Sequence, residues 1–347
     1  MHSVTRRTAL GGIALTSMLT AVRPGAAHAA PADTGATVVG EQEVRARTLD
    51  LTVATPSIPF MQCKIRLFLP LGWSKNAART WPVLYVYGGG GEGGDYQGWD
   101  VMTDLKDYAA AWDVLVVMPE GGVSAGFTDW LRPKGGGVVN WETWHTAEVV
   151  QIIERNYRGG ARRAVMGISS GGQGAITYAA RHKGLFKYAA SFSGILHMTK
   201  PGIPTMMELA DMTSSTGATA AQKWGDPVGD RANWLSHDPY YLAPNLRGVG
   251  MYLSTGTTGK PGPLDATWGD VLDDMGVVGG TQSQVVGGVG EALVGVTVKS
   301  FIAKLKALGI PHTANVYGDG LHNWAYWNRE FRNAWPHLMK SLGAAKY

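Results

Sequence analysis

Ala161-Arg162-Arg163-Ala164-Val165-Met166-Gly167-Ile168-Ser169-Ser170-Gly171-Gly172-Gln173-Gly174-Ala175-Ile176-Thr177-Tyr178 is the stretch whose reading decides the fold. Its first half, Ala161 to Ile168, ends in an apolar run suited to a buried strand. Its second half, Gly171 to His182, reads as a helix of small and apolar residues. The joint, Gly167-Ile168-Ser169-Ser170-Gly171, fits G-x-S-x-G. A sharp strand-to-helix turn would lift the Ser169 hydroxyl clear of the backbone, and the flanking glycines remove the Cβ atoms that would crowd it. The helix N-terminus behind the serine favours developing negative charge. Ser169 is therefore the candidate nucleophile. Ser170, in the fourth slot, is a candidate oxyanion donor through its backbone N–H.

Working outward, buried apolar runs alternate with helical patterns. Cys63 to Leu69, Pro82 to Tyr87, Val114 to Pro119, Tyr188 to Phe192, Met251 to Ser254 and Thr313 to Tyr317 read as strands. Helices are expected from Trp141 to about Tyr157, with Asn140 as N-cap, and from Val296 to Leu308. This alternation implies an α/β fold, a mostly parallel central sheet with helices on both faces. Residues 51–347 read as one domain and 30–50 as a loosely held arm. The glycine-rich stretch Gly276 to Gly290 is a candidate mobile cover for the site.

A nucleophile of this kind needs a base late in the chain and an acid between them. Of His312, His322 and His337, His322 follows a strand and the turn Gly318-Asp319-Gly320, and is the expected base. Order alone leaves Asp265, Asp270, Asp273, Asp274 and Glu291 all eligible as the acid, with Asp265 the ordinary choice. A second oxyanion donor is expected in Gly88 to Gly91, the loop after the strand that ends at Tyr87.

Composition excludes other classes. The chain has 347 residues, 48 of them glycine, and its 13 Trp, 13 Tyr and 7 Phe with 45% apolar positions argue against wholesale disorder. Net charge is +4, but Arg6, Arg7 and Arg23 lie in the first 29 residues, which hold no Asp or Glu; taking three from +4 leaves +1. That near-neutral body has no footprint for nucleic acid. Residues 1–29 read as a cleaved export signal: an arginine pair at Arg6-Arg7, an apolar stretch from Leu10 to Val22, and Ala27-His28-Ala29 as the small-x-small site. The arginine pair suggests the twin-arginine route, so the protein is expected to be secreted or held at the cell wall. No integral membrane span is expected. Cys63, the single cysteine, allows no internal disulfide and reads as a buried hydrophobe. Neither metal nor cofactor is implied.

Several segments together resemble the antigen 85-type mycolyltransferases, within the wider esterase-D group of α/β hydrolases. Asp95-Tyr96-Gln97-Gly98-Trp99-Asp100 is similar to D-Y-N-G-W-D. Val117-Met118-Pro119 with Gly121-Gly122, then Thr128-Asp129-Trp130, resembles V-M-P-x-G-G and S-D-W. Asn140-Trp141-Glu142-Thr143-Trp144 resembles the W-E-T-F helix start. Gly167-Ile168-Ser169 matches G-L-S. Tyr188-Ala189-Ala190, Ser193-Gly194, Trp224-Gly225 and Asp238-Pro239 follow in order, and His322-Asn323-Trp324-Ala325-Tyr326-Trp327 resembles H-S-W-x-Y-W. Together they cover roughly residues 50–330.

The resemblance implies the α/β-hydrolase fold and a Ser–Glu–His triad. It moves the acid to Glu291, in Glu291-Ala292-Leu293, and the second oxyanion donor to Gly90. Departures are as informative. The charged residues that flank the family's donor and hold trehalose fall here on Gly88 to Gly91, leaving Gly89 and Gly91 as candidate substrate-contact positions. Trp324 remains and is expected to floor the acceptor or leaving-group site. The implied activity is acyl transfer from an ester through Ser169 to a hydroxyl acceptor (water, sugar or glycerol), with cell-envelope association. The alternative is a catalytically silent envelope-binding protein on the same scaffold.

Overall fold

Strand β4, Trp81–Tyr87, is buried along its whole length, yet its side chains part strictly by parity. Val83, Tyr85 and Tyr87 join one apolar cluster, and Leu84 and Val86 join the other. That period of two under total burial is what a strand covered by helices on both faces requires. The computed structural model describes residues 29–90, 95–122, 124–212, 217–265 and 280–347.

Nine strands form one sheet: β1 (Thr37–Arg45), β2 (Thr48–Ala54), β3 (Gln62–Phe68), β4, β5 (Leu115–Pro119), β6 (Gly159–Ile168), β7 (Tyr188–Phe192), β8 (Gly250–Thr255) and β9 (Thr313–Val316). Their order is β1-β2-β3-β5-β4-β6-β7-β8-β9. β1, β2 and β3 pair antiparallel and β3 meets β5 antiparallel; from β5 onward every pairing is parallel. The described helices are α1 (Gly98–Met102), α2 (Leu105–Ala110), α3 (Trp141–Thr143), α4 (Val149–Asn156), α5 (Ser169–Arg181), α6 (Ile203–Met212), α7 (Ala220–Trp224), α8 (Arg231–His237), α9 (Pro239–Leu242), α10 (Gly280–Ala307) and α11 (Trp324–Leu342). Residues of α4, α5 and α10 cover one face of the sheet, and those of α2 and α11 the other.

Two expectations are corrected. Residues 30–50 are not a loose arm, because β1 and the start of β2 lie within them, paired into the sheet. The segment before β1 is held as well. Ala30 N–H donates to Asn156 Oδ1 at 2.7 Å and Asp33 N–H to Gln151 Oε1 at 2.7 Å, both on α4. Second, Asn140 makes no side-chain cap. Asp129 takes that part, accepting from the Thr143 N–H at 2.9 Å and the Thr143 hydroxyl at 2.6 Å. Of the expected cover, residues 280–290 are the first turns of α10, and residues 276–279 lie outside the described residues, as do the expected leader through residue 28 and Gly91.

Two residues of α1 tie it to the sheet. The Trp99 indole N–H donates to the Tyr87 carbonyl at 3.0 Å, tying α1 to the end of β4. Asp100 accepts from Arg66 Nη1 at 2.7 Å, and Arg66 also binds both oxygens of Asp50, its cross-strand partner, at 2.7 Å each. Bidentate pairing with Asp50 and the bond to Asp100 hold the Arg66 guanidinium charged, its proton affinity raised further above the ordinary value. Cys63 is fully buried on β3, and burial pushes its thiol up.

Candidate active site

β6 ends at Ile168 in extended geometry, φ −107° and ψ 151°, and α5 begins at once with Ser169 at φ +50°. A non-glycine residue in the left-handed region costs of the order of 1 kcal/mol and persists where surrounding packing enforces it. The enforcement is visible here. A Cβ on Gly171 would lie 2.1 Å from the Gly88 carbonyl oxygen, and one on Gly167 would lie 2.3 Å from the Gly171 carbonyl oxygen. Only glycine lets strand, helix and the loop after β4 approach this closely.

The same closeness brings that loop against the serines. The Cβ position of Gly89 is 3.4 Å from Ser169 Cβ, and that of Gly90 is 3.3 Å from Ser170 Oγ. The Ser170 hydroxyl is buried under this loop with no hydrogen-bond partner.

α10 carries Glu291, fully buried, to the C-terminal end of β8. His322, in the turn before α11, meets it: Nδ1 lies 2.7 Å from Glu291 Oε2. The other carboxylate oxygen, Oε1, accepts from Ser193 Oγ at 2.9 Å, Thr255 Oγ1 at 2.9 Å and the Gly256 N–H at 2.6 Å. Burial alone would raise the Glu291 carboxyl. The hydrogen bond and charge of His322, with the Gly256 and Ser193 donors, outweigh it and hold Glu291 below the usual range.

Asp265 is also buried but points elsewhere. It accepts from Asn323 Nδ2 at 2.6 Å, the Tyr326 hydroxyl at 2.9 Å and the Gly262 N–H at 2.6 Å. It thus anchors the residue beside His322. Asp270, Asp273 and Asp274 lie outside the described residues. His312 faces the Ile310 carbonyl at 3.0 Å and His337 stacks on Tyr188, both apart from Glu291.

Trp324 stands edge-on to Trp99, ring centres 5.5 Å apart, and its ring edge is 3.1 Å from the Cβ position of Gly98. Sequence reasoning missed Ser193, Thr255 and Gly256 as partners of Glu291, and Trp327, whose ring meets the His322 ring at 4.9 Å and 88°. One cue was available: Ser193 and Thr255 lie at the carboxyl ends of parallel strands β7 and β8, where such sheets place their functional groups. Among the described residues no group of three or more His, Cys, Asp or Glu could hold a metal ion, and no helix is long and apolar enough to cross a membrane.

Comparisons with known proteins agree with this architecture. The Esterase family model matches residues 60–338. The esterase Rv1288 of Mycobacterium tuberculosis is 30% identical over 253 residues, 71% of this chain and 50% of that protein, so the chain spans about half that relative's length. The diacylglycerol acyltransferase/mycolyltransferase Ag85A of Mycobacterium leprae is 31% identical over 282 residues, 78% of each chain. Among solved structures, MPT51 (FbpC1) of Mycobacterium tuberculosis superposes with a TM-score of 0.65 at 19% identity, covering 83% of this chain and 96% of its own, a likeness of fold. With most of its length matched and its strand order that of an α/β hydrolase, the chain belongs to the Esterase family.

Proposed function

We propose that this protein is a serine esterase or acyltransferase that acts on carboxylic esters through an acyl-Ser169 intermediate. Ser169 Oγ attacks the ester carbonyl carbon while its proton passes to His322. Because Nδ1 of His322 is committed to Glu291, Nε2 is the nitrogen that receives it. Glu291 fixes the ring and stabilises the imidazolium. The backbone N–H groups of Ser170 and Gly90 hold the oxyanion. The C–O bond then breaks, the alcohol leaves with the proton from Nε2, and a hydroxyl acceptor repeats the sequence in reverse. With water as acceptor the outcome is hydrolysis; with a sugar or glycerol it is a new ester. Trp324 offers an apolar wall for the alcohol side. The observation that supports this reading most is the buried Glu291 carboxylate 2.7 Å from His322 in a chain whose Ser169 sits on the strand-to-helix turn. Export by the leader at residues 1–29 is part of the proposal.

A fluorophosphonate probe is expected to label the protein and not Ser169→Ala, whose kcat on a p-nitrophenyl ester falls about 10⁶-fold. Absence of labelling in the parent protein would favour the silent scaffold. Supplying the same donor with and without trehalose or glycerol, and looking for a new ester, separates transferase from esterase.

A further inference from the structure

Behind the proposed triad, four contacts close on themselves. The Trp327 indole N–H donates to Ser193 Oγ at 3.2 Å, and Ser193 Oγ donates to Glu291 Oε1 at 2.9 Å. Glu291 Oε2 meets His322 Nδ1 at 2.7 Å, and the His322 ring stands perpendicular to the Trp327 ring with centres 4.9 Å apart. We propose that Ser193 and Trp327 are positioning residues for the Glu291–His322 pair, one circuit fixing carboxylate and imidazole together. This rests on the Ser169 reading above and deepens it.

The backbone at Ser193 argues for a purpose beyond packing. Ser193 is not glycine, yet its φ is +54°. It is pinned there by its own N–H, which donates to the Ser254 carbonyl at 2.8 Å. The neighbouring Gly194 leaves no room for rearrangement, since a Cβ there would lie 2.4 Å from Ser191 Oγ. A strained position held on a serine directs attention to its hydroxyl. That hydroxyl accepts from Trp327 and donates to Glu291, so its single proton is committed to the carboxylate. Two further donors, Thr255 and Gly256, share Oε1, leaving Oε2 for His322.

Among the described residues, the titratable groups that meet Glu291 are His322 and, from just after β9, Tyr317, whose hydroxyl is 3.5 Å from Oε1. Burial and the Glu291 charge push the Tyr317 hydroxyl up, so it stays neutral. Arg329 of α11 lies over the Tyr317 ring, with Glu330 beside it. Removing the Ser193 donor leaves the carboxylate less stabilised as an anion. The acid limb of kcat/KM then moves to higher pH, since the less stabilised Glu291 carboxylate takes up a proton more readily.

The test uses the full protein and a p-nitrophenyl ester. Ser193→Ala is expected to lower kcat about 10-fold, the scale of one hydrogen bond to a charged group, with KM little changed and the acid limb displaced upward. Ser193→Gly relieves the backbone and still lacks the hydroxyl, so it should match Ser193→Ala and serves if that variant folds poorly. Trp327→Phe keeps an aromatic ring, smaller than the indole, and loses the N–H, with an expected loss of about threefold. The double variant should lose less than the product of the singles, because both act on one carboxylate. Wild-type kcat and an unmoved acid limb in both Ser193 variants would overturn the proposal, as would fully multiplicative losses. Fluorophosphonate labelling of the parent protein separates the two levels. Labelled parent with indifferent Ser193 variants removes only the circuit, whereas unlabelled parent removes the Ser169 reading and the circuit with it.

Discussion

At the scale of the residue, two acids compete for one role, and geometry separates them by what each oxygen touches. Glu291 spends Oε2 on His322, while Asp265 spends both oxygens on Asn323, Tyr326 and Gly262. Glu291→Gln should therefore cut kcat about 10³-fold or more, since an amide can face Nδ1 with the wrong group and select the wrong tautomer. Asp265→Asn, which can still accept from Gly262 or Tyr326, should lose stability with kcat within about tenfold of the parent. Steady-state kinetics beside thermal melts decides this; the reverse ranking would restore Asp265. Order along the chain could not make the distinction, because a triad specifies sequence of roles and not spacing. The strand-to-helix turn at Ser169 was legible for the opposite reason. That turn needs glycines at fixed offsets, and Gly171→Ala, driven against the Gly88 carbonyl oxygen at 2.1 Å, should abolish labelling of Ser169 and destabilise the fold.

At the scale of the element, the buried strands announced themselves and the edges did not. β4 and β5 are continuous apolar runs because both faces are covered. β1, Thr-Val-Val-Gly-Glu-Gln-Glu-Val-Arg, lies at the edge with most of its side chains exposed, so nothing in its polarity separates it from a loop. What secures it is remote in sequence. Glu148, fully buried in a π turn between α3 and α4, accepts from Thr34 Oγ1 at 2.7 Å, Ser57 Oγ at 2.8 Å and Thr55 Oγ1. One carboxylate thus fastens the chain on both sides of the β1–β2 hairpin to the helix layer. Glu148→Ala strands three hydroxyls and should cost about 3 kcal/mol, with earlier proteolysis between residues 30 and 47. An unchanged denaturant midpoint would show that the hairpin holds by its ladder alone. α10 was half legible in the same sense. Its C-terminal half has helical apolar spacing, while its glycine-rich start obscures the turns that lead to Glu291.

At the scale of the whole molecule, buried titratable groups set how stability follows pH, and they pull in opposite directions. Burial lowers His145 to about 4, where it is wedged between Phe127 and Trp141. Burial, then the Arg181 charge, likewise lowers His237. Burial alone would raise Glu142, yet its bonds to His182 and Arg181 hold it below its ordinary value. For the histidines, the unfolded chain takes up protons that the fold refuses, so stability drops as pH falls below their unfolded value of about 6.5. For Glu142, stability present above about 4.3 is lost as pH falls through its folded value. Asp95, beside the loop after β4, behaves oppositely. Burial and the Glu120 charge raise it to about 8, against the backbone N–H groups of Gly121, Tyr96 and Gly122. Between about 3.9 and 8 the fold keeps a proton that the unfolded chain has released, so this group removes stability as pH rises. The histidine and Asp95 effects offset one another from about 4 to 6.5, and from 6.5 to 8 Asp95 alone among these groups is still changing. Asp95→Asn isolates it. Its carbonyl can keep the Gly121 N–H bond now made by Oδ2 at 2.9 Å, and it carries no proton to lose. Measured by denaturant melts, the stability of Asp95→Asn relative to the parent should climb steadily between pH 4 and 8 and level off above. A difference that stays flat across that range would mean that Asp95 is ionised in the fold at neutral pH.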